Sequence, residues 1–181
     1  MHRAQPNAAH QALAKLEALG VIRTIITQNI DMLHSKAGSR LVLEAHGHLR
    51  EATCGQCFTI YPTELFLETF IATGEIPRCP ACGGILKPNV ILYGEQLPIA
   101  VLREAEQAAR ISDVMLIAGT SLEVAPVSEL PALALAHGAR LIIVNNDETH
   151  MDRQASVVIR GDVATALPGL LRLVESSHDP I

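Results

Sequence analysis

Apolar residues recur along the chain in two spacings, one typical of buried strands and the other of amphipathic helices. Short apolar runs, many of them β-branched, predict buried strands at 21–26, 41–45, 113–118, 140–144 and 156–159. Apolar residues at helical spacing predict helices at 7–19, 98–111, 126–137 and 163–174. Because strands alternate with helices, we expect an α/β fold with a doubly wound, mostly parallel sheet.

The composition narrows the class of protein. The chain has 181 residues, of which 49% are apolar and 3% aromatic, so aliphatic side chains must form the core. Its net charge of −5 argues against direct nucleic-acid binding. No apolar run reaches the ~18 residues of a membrane helix, and residues 1–6 lack the apolar segment of a signal peptide. We therefore expect a cytoplasmic protein with no membrane contact.

The four cysteines form two Cys-x-x-Cys pairs, Cys54 with Cys57 and Cys79 with Cys82. In a reducing compartment such pairs favour metal over disulfides. Four thiolates complete a tetrahedral shell, which predicts one structural Zn²⁺ with no open position. A redox dithiol is the alternative, but it needs one activated pair and does not explain two.

The residues around the second cysteine pair also carry structural signals. An amphipathic helix is predicted at 62–73, between the two pairs. After the second pair, Pro88 keeps Lys87 extended. The apolar stretch at 90–93 is typical of a strand.

Polar residues follow most of the predicted strands, in clusters at 27–31, 46–47, 119–121, 145–147 and 161–163. In a parallel sheet the carboxyl ends of the strands lie at one edge, where α/β proteins bind ligands. Some of the clusters also have a structural explanation. Asn29 and Asp31 could cap the next helix, and Gly119 to Ser121 could form an ordinary turn. Several clusters on one edge make a ligand cleft the better interpretation.

The histidine at the end of the second strand is ambiguous when taken alone. A single histidine at a strand end is more often a satisfied polar residue than a catalyst. Gly47, directly after His46, would let the backbone approach a ligand closely. Residue chemistry alone leaves both interpretations open.

Taken together, these motifs resemble those of the sirtuins, the NAD-dependent protein deacylases. They occur in the family's order: Pro6-Asn7 with His10; Thr27-Gln28-Asn29-Ile30-Asp31 with Leu33-His34; Ala37-Gly38-Ser39; His46-Gly47; both cysteine pairs; Lys87-Pro88-Asn89-Val90-Ile91 with Gly94-Glu95; Gly119-Thr120-Ser121; Asn145-Asn146-Asp147; Gly161-Asp162-Val163. The resemblance covers the chain from Pro6 to Leu173.

The resemblance implies a Rossmann-like NAD-binding domain at 1–50 and 87–181, interrupted by a zinc module at 51–86. It implies that His46 is the general base, acting on the nicotinamide-ribose hydroxyls. The substrate would be an acyl-lysine protein or peptide. The products would be free lysine, nicotinamide and an O-acyl-ADP-ribose.

The resemblance also assigns binding residues. It places Gln28, Asn29, Ile30 and Asp31 near the nicotinamide and its ribose. The phosphate and adenosine side would be bound by Gly119, Thr120, Ser121, Asn145, Asn146, Asp147 and Val163. The acyl-lysine tunnel and the substrate backbone would contact Ile91, Tyr93, Gly94 and Glu95, the last two through strand addition.

Two positions depart slightly from the family pattern, Tyr93 in place of Phe and Met32 in place of Gly. A larger departure is that the 181 residues contain no Gly-Ala-Gly-x-Ser phosphate loop. We therefore expect an N-terminally incomplete sirtuin with weak NAD binding and little deacylase activity. The alternative is a catalytically inactive, zinc-bearing peptide-binding module. A zinc-ribbon nucleotide-binding protein outside the family is a third possibility.

Overall fold

The structure is a computed structural model that describes residues 4–178. Its α-helices are α1 (Ala8–Ala18), α2 (Leu33–Lys36), α3 (Glu64–Thr73), α4 (Ile99–Arg110), α5 (Leu130–Ala136) and α6 (Val163–His178). Its strands are β1 (Ile25–Thr27), β2 (Val42–Glu44), β3 (Gly47–Cys54), β4 (Ile60–Pro62), β5 (Leu86–Val90), β6 (Val114–Ala118), β7 (Arg140–Asn145) and β8 (Val157–Arg160). Short 3-10 turns occur at Val127–Glu129 and Asp152–Gln154.

The predicted parallel α/β architecture is confirmed, in the form of two hydrogen-bonded ladders. Strands β1 and β2 form one parallel ladder, and β6, β7 and β8 form the other. Within residues 4–178 no backbone ladder joins β1 to β6. Ile26 of β1 and Met115 of β6 nevertheless pack against the same apolar cluster. The two ladders therefore share one helical layer, although they do not form the single continuous sheet that was expected.

Helices cover the ladders on both sides. Helices α4 and α5 contribute Ala105, Ala109, Leu130 and Ala134 to the cluster beneath Leu43 of β2. On the other side, α1 and α6 enclose Val144 of β7, with the buried residues Ala9, Ala12, Leu16, Leu167 and Leu171. Small alanines and branched aliphatics fill both layers, as expected from the scarcity of aromatic residues.

The helix predictions are confirmed and the helix starts have clear causes. Asn7 caps α1, since its Oδ1 accepts the His10 N–H at 3.1 Å. Pro98 directly precedes α4, and Pro131 lies in the first turn of α5. Helix α6 continues beyond the predicted end. No helix within the described range combines the length and apolar character needed to cross a membrane.

The strand predicted at 21–26 is too long at its beginning. The N–H groups of Val21 and Ile22 donate to the Leu16 carbonyl at 3.0 and 3.2 Å, which prolongs the turn at the end of α1. Val21 is correspondingly exposed. Only Ile25–Thr27 enters the ladder. Apolar character alone could not distinguish the helix exit from the strand.

The strand predicted at 90–93 lies earlier in the chain. Strand β5 covers Leu86–Val90 and pairs antiparallel with β3, so that Val90 faces Gly47. Beyond it the chain turns, and Tyr93 is fully exposed. Pro88 lies inside β5, where its missing N–H is tolerated because a register shift interrupts the ladder between Gly47 and Ala52.

The cysteine-bearing segment forms a small unit around the antiparallel sheet β4-β3-β5. Its core consists of Ala52, Cys54, Cys79 and Leu86, with Tyr61 and Phe66 packed at the side. Helix α3 confirms the helix predicted at 62–73, but none of its residues is buried. The antiparallel sheet extends from Gly47 to Val90. The domain limits at 51–86 remain a prediction, and residues 1–3 and 179–181 of the larger domain lie outside the described range.

Two histidines meet where α1 approaches α2. The rings of His10 and His34 lie 4.8 Å apart between centroids. His10 belongs to the capping box of α1, whereas the Nδ1 of His34 is buried without a hydrogen-bond partner in the described chain. Burial and the neighbouring His10 lower the pKa of His34, while Asp31 and Glu44 act in the opposite direction.

The half-buried His34 predicts that the protein loses stability in acid. Because folding lowers the pKa of His34 below 6.5, the unfolded chain takes up the proton more readily. The free energy of unfolding should therefore fall as pH decreases from about 7 to about 5. His34→Phe keeps an aromatic ring and should flatten this dependence in urea titrations. His150→Phe changes an exposed histidine and serves as the control. Identical slopes for all three proteins would contradict the prediction.

Candidate functional site: a four-thiol centre and two groups of polar residues

The four cysteines converge at one point of the small unit. Their Sγ atoms all lie within 4.8 Å of one another. The Sγ atoms of Cys54 and Cys82 are 3.5 Å apart, and those of Cys57 and Cys79 are 3.6 Å apart. A tetrahedral zinc ion with Zn–S bonds of about 2.3 Å requires S–S separations of about 3.8 Å. The thiols are therefore positioned to bind one zinc ion, and they leave no coordination position for chemistry.

Two features around the thiols favour metal binding. The hydroxyl of Tyr61 lies 3.4 Å from the Sγ of Cys79, where it can donate a hydrogen bond that stabilises the thiolate. A thiolate is the form that binds metal. At Gly84, a β-carbon would stand 2.9 Å from the Sγ of Cys54. The second knuckle therefore needs glycine at this position to approach the first one.

His46 lies at the junction of the parallel and antiparallel sheets, between β2 and β3. Its Nδ1 is 3.1 Å from the carbonyl oxygen of Gln28. Because a carbonyl can only accept, Nδ1 must carry the proton, and the Nε2 of the neutral ring keeps its lone pair. A half-buried histidine with Nε2 available can accept a proton from a bound hydroxyl group.

Gly47 brings the antiparallel sheet directly against this histidine. It has φ +75°, and a β-carbon there would lie 2.1 Å from the carbonyl oxygen of Asn89. The backbone amide of Ile91 donates to the His46 carbonyl at 3.0 Å. The histidine and the start of the 91–95 segment are therefore linked through their backbones.

The residues that follow β1 form a tight polar turn. The Asn29 N–H donates to the Thr27 hydroxyl at 3.1 Å, and the Leu33 N–H donates to Asp31 at 3.0 Å. Asp31 therefore binds the first N–H group of α2, although the N-cap position itself belongs to Met32, which makes no side-chain capping bond. Asn29 is exposed and Gln28 is half-buried, so their side chains remain accessible to a ligand.

A second group of polar residues lies at the carboxyl ends of β6, β7 and β8. The parallel register pairs Ala118 with Val144 and Asn145 with Arg160. The next residues along each strand, including Gly119, Asn146 and Gly161, therefore emerge at one edge. The Gly161 N–H donates to the Asn145 carbonyl at 3.2 Å. Val163 lies close to Gly119, with a methyl group 3.6 Å from where a β-carbon would stand.

The structure thus brings the sequence-predicted residues into two groups. One group joins His46 to Gln28 and Ile91 by hydrogen bonds. The other brings together the chain at Gly119, Asn145 and Val163. Thr120 uses its hydroxyl to accept the Leu122 N–H at 3.2 Å, and Ser121 is exposed. In the described chain no hydrogen bond crosses directly between the two groups.

Sequence reasoning missed several residues that shape the site. Thr27, Tyr61 and Lys87 each donate or accept a hydrogen bond at a predicted functional segment. The sequence feature that could have drawn attention to Lys87 is Pro88, which keeps the backbone of Lys87 extended. Nothing in the local pattern marked Tyr61, because its partner Cys79 is distant in sequence.

Fold and site together define a Rossmann-like α/β protein with an inserted four-thiol module. A model of the "Sir2 family" matches residues 1–126. An NAD-dependent protein deacetylase of Caldivirga maquilingensis is 45% identical over 175 residues, which are 97% of this chain and 67% of the relative. An NAD-dependent protein deacylase 2 of Archaeoglobus fulgidus is 45% identical, over 95% of this chain and 68% of the relative.

Solved structures agree with these sequence relatives. A Sir2 structure described with a p53 peptide and NAD⁺ superposes with a TM-score of 0.88 at 38% identity, over 97% of this chain and 71% of the other. Sir2Af2 bound to a myristoylated histone peptide gives a TM-score of 0.90 at 44% identity, over 96% and 74% of the two chains. The chain belongs to the Sir2 family, the sirtuins, as its sequence motifs indicated. It spans about two thirds of the length of the relatives cited, with 67% and 68% coverage.

Zinc removal should unfold the small unit, because its core is little more than the thiols and their neighbours. Chelation, or Cys82→Ser, should lower the zinc content from about one ion per chain and disorder the sheet β4-β3-β5. The chain has no tryptophan and two tyrosines, of which Tyr93 is fully exposed. Tyrosine fluorescence in a Tyr93→Phe background therefore reports on Tyr61, beside Cys79. Re-addition of zinc to the chelated protein should restore the signal, and an unchanged signal on chelation would contradict a structural metal.

Alanine at Gly47 should be far more damaging than at a glycine with the same backbone angle. Gly20 also has φ +75°, but no atom lies within 4 Å of its β-carbon position. Gly20→Ala should cost about 1–2 kcal/mol of stability from the left-handed conformation alone. Gly47→Ala adds the collision with Asn89 and should cost about 4 kcal/mol or more. Urea unfolding measures both, and equal costs would show that the Asn89 contact is not tight.

Proposed function

We propose that His46 is the general base of NAD-dependent removal of acyl groups from lysine. The observation that carries this proposal is the bond from His46 Nδ1 to the Gln28 carbonyl at 3.1 Å. It leaves Nε2 as the acceptor for a proton from a ribose hydroxyl. A histidine suits this role because its ordinary pKa lies close to physiological pH.

NAD supplies the ribose hydroxyls and the nicotinamide leaving group. Gln28, Asn29, Ile30 and Asp31 contact the nicotinamide end, since their turn is bonded to His46. The edge formed by Gly119, Thr120, Ser121, Asn145, Asn146, Asp147 and Val163 binds the adenosine end. Two observations support NAD binding at this edge. The backbone at Gly119 is exposed, with φ +62°, and three parallel strands end at the same edge.

The substrate is an acyl-lysine protein or peptide, which binds along the 91–95 segment. Ile91, whose N–H donates to the His46 carbonyl, lines the acyl-lysine tunnel together with Tyr93. Tyr93 is fully exposed and therefore accessible to the substrate. The backbone at Gly94 and Glu95 pairs with the substrate by strand addition. Relatives described with acetylated, propionylated and myristoylated peptides support this substrate class.

Transfer of the acyl group to ADP-ribose makes the enzyme a transferase as well as a deacylase. Cys54, Cys57, Cys79 and Cys82 bind zinc in a purely structural role. The cytoplasm is the proposed compartment, because its reducing conditions keep four thiols available for metal.

The assignment of His46 is tested by turnover of an acetyl-lysine peptide with NAD, measured as released nicotinamide. His46→Ala should lower the rate at least about 100-fold. His150→Ala removes an exposed histidine and should leave the rate unchanged. If the unaltered chain turns over the peptide measurably, an equal rate for His46→Ala would exclude His46 as the base.

Histidine NMR provides a second readout that does not depend on turnover. Addition of NAD should shift the ring resonances of His46 and leave those of His150 in place. Loss of both turnover and the shift, with peptide binding retained, would instead favour the inactive peptide-binding module. Turnover near the ordinary enzyme range of about 10 s⁻¹ would contradict the low activity expected for these 181 residues.

A further inference from the structure

The 91–95 segment is held by two charged side chains, one at each end. Lys87, on β5, extends its ammonium group forward along its own strand. The Nζ atom donates to the Val90 carbonyl at 2.8 Å and to the Glu95 carboxylate at 2.9 Å. The end of the strand and the end of the segment are therefore tied to one ammonium group.

Glu95 completes a ring of hydrogen bonds around the turn. Its carboxylate accepts the Leu92 N–H at 2.9 Å, and its own N–H donates to the Leu92 carbonyl at 3.0 Å. These two bonds close a tight turn, whose Gly94 has φ +87°. The Leu92 N–H and then Lys87 lower the pKa of Glu95, so the carboxylate stays ionised well below neutral pH.

Core packing contributes little to holding this turn. Leu92 is 58% exposed, Tyr93 is fully exposed, and Gly94 and Glu95 are exposed as well. The Lys87 and Glu95 side chains are themselves 45% and 40% exposed, so their ion pair by itself adds little stability. Their importance lies in the backbone groups that they bind, because these groups define the path of the turn.

The same turn is connected to His46. The Ile91 N–H donates to the His46 carbonyl at 3.0 Å, and Val90 lies opposite Gly47 in the ladder. The bond to His46 occupies the N–H group of Ile91, and the bonds within the turn occupy those of Leu92 and Glu95. The N–H groups of Tyr93 and Gly94 have no acceptor within residues 4–178 and remain for an incoming strand.

We propose that Lys87 and Glu95 are positioning residues for substrate binding. Together they form an ionic staple (Lys87, Glu95 and the carbonyl and amide groups that they bind) that presents the 91–95 turn to the acyl-lysine peptide. This role rests on the proposed function. The staple lies outside the reacting atoms and acts through the backbone of Ile91 to Gly94.

The first measurement tests the staple itself and requires no substrate. Backbone ¹⁵N relaxation should give order parameters of about 0.85 for Leu92 and Glu95 in the unaltered chain. Lys87→Met keeps the length of the side chain without the charge and should lower them below about 0.6. Lys36→Met removes an exposed lysine elsewhere and should change nothing at the turn. Unchanged order in Lys87→Met would overturn the proposal.

The second measurement tests the consequence for the substrate. Fluorescence anisotropy follows binding of a labelled acetyl-lysine peptide. Lys87→Met and Glu95→Gln should each raise its Kd about tenfold. Lys87→Arg keeps the charge and should stay within about threefold of the unaltered chain. In the double variant the loss should be no greater than in either single variant, because both substitutions break one staple.

The outcomes separate the staple from the proposed function. Loosened order with unchanged peptide affinity would overturn the positioning role, as would equal losses in Lys87→Met and Lys87→Arg. If the unaltered chain binds acetylated and unacetylated peptide equally, the proposed substrate is wrong, and the order parameters alone then decide whether the staple exists.

Discussion

The close approach of two backbones at Gly47 and Asn89 is the constraint on which the site depends. The Asn89 carbonyl occupies the space that a side chain at residue 47 would fill. This approach places β5 beside β3 at the point where β3 begins, directly after His46. As a result the Ile91 N–H reaches the His46 carbonyl. The histidine and the segment assigned to the substrate therefore share one rigid backbone junction.

Parallel register accounts for the position of the other predicted binding residues. Thr27 pairs with Glu44, so Gln28 and His46 leave β1 and β2 at the same edge. In the second ladder, the pairs Ala118–Val144 and Asn145–Arg160 bring three loops to one edge in the same way. No special loop chemistry is needed for this convergence, since right-handed crossovers align strand ends in any doubly wound sheet.

Sequence patterns predicted the elements whose structure depends on neighbouring residues. They failed for segments whose structure depends on hydrogen bonds to more distant residues. Helix α1 followed from its Asn7 cap, and the metal centre followed from the two cysteine pairs, because both signals lie within a few residues. The start of β1 could not be predicted in this way. Val21 and Ile22 are apolar and β-branched like strand residues, but their N–H groups donate to the Leu16 carbonyl at the end of α1. Likewise, apolar character at 90–93 could not reveal that Glu95 and Lys87 bend this stretch into a turn. The resemblance to sirtuins placed His46 in the site, whereas its tautomer required the Gln28 carbonyl to be seen in three dimensions.

The metal site, although closed to chemistry, is connected by two strands to the residues proposed to react. Cys54 ends β3, whose other end is Gly47, beside His46. Strand β5 leaves the second cysteine pair at Leu86 and ends at Val90, where the 91–95 turn begins. Both strands therefore run from the thiols to the site, and their side-by-side pairing is continuous with the core formed by Cys54 and Leu86. Because this core has only four buried residues, we expect metal binding to add stability to the paired strands. We therefore expect the four thiolates, once they hold zinc, to support the proposed site at a distance by stabilising the strands on which Asn89 meets Gly47.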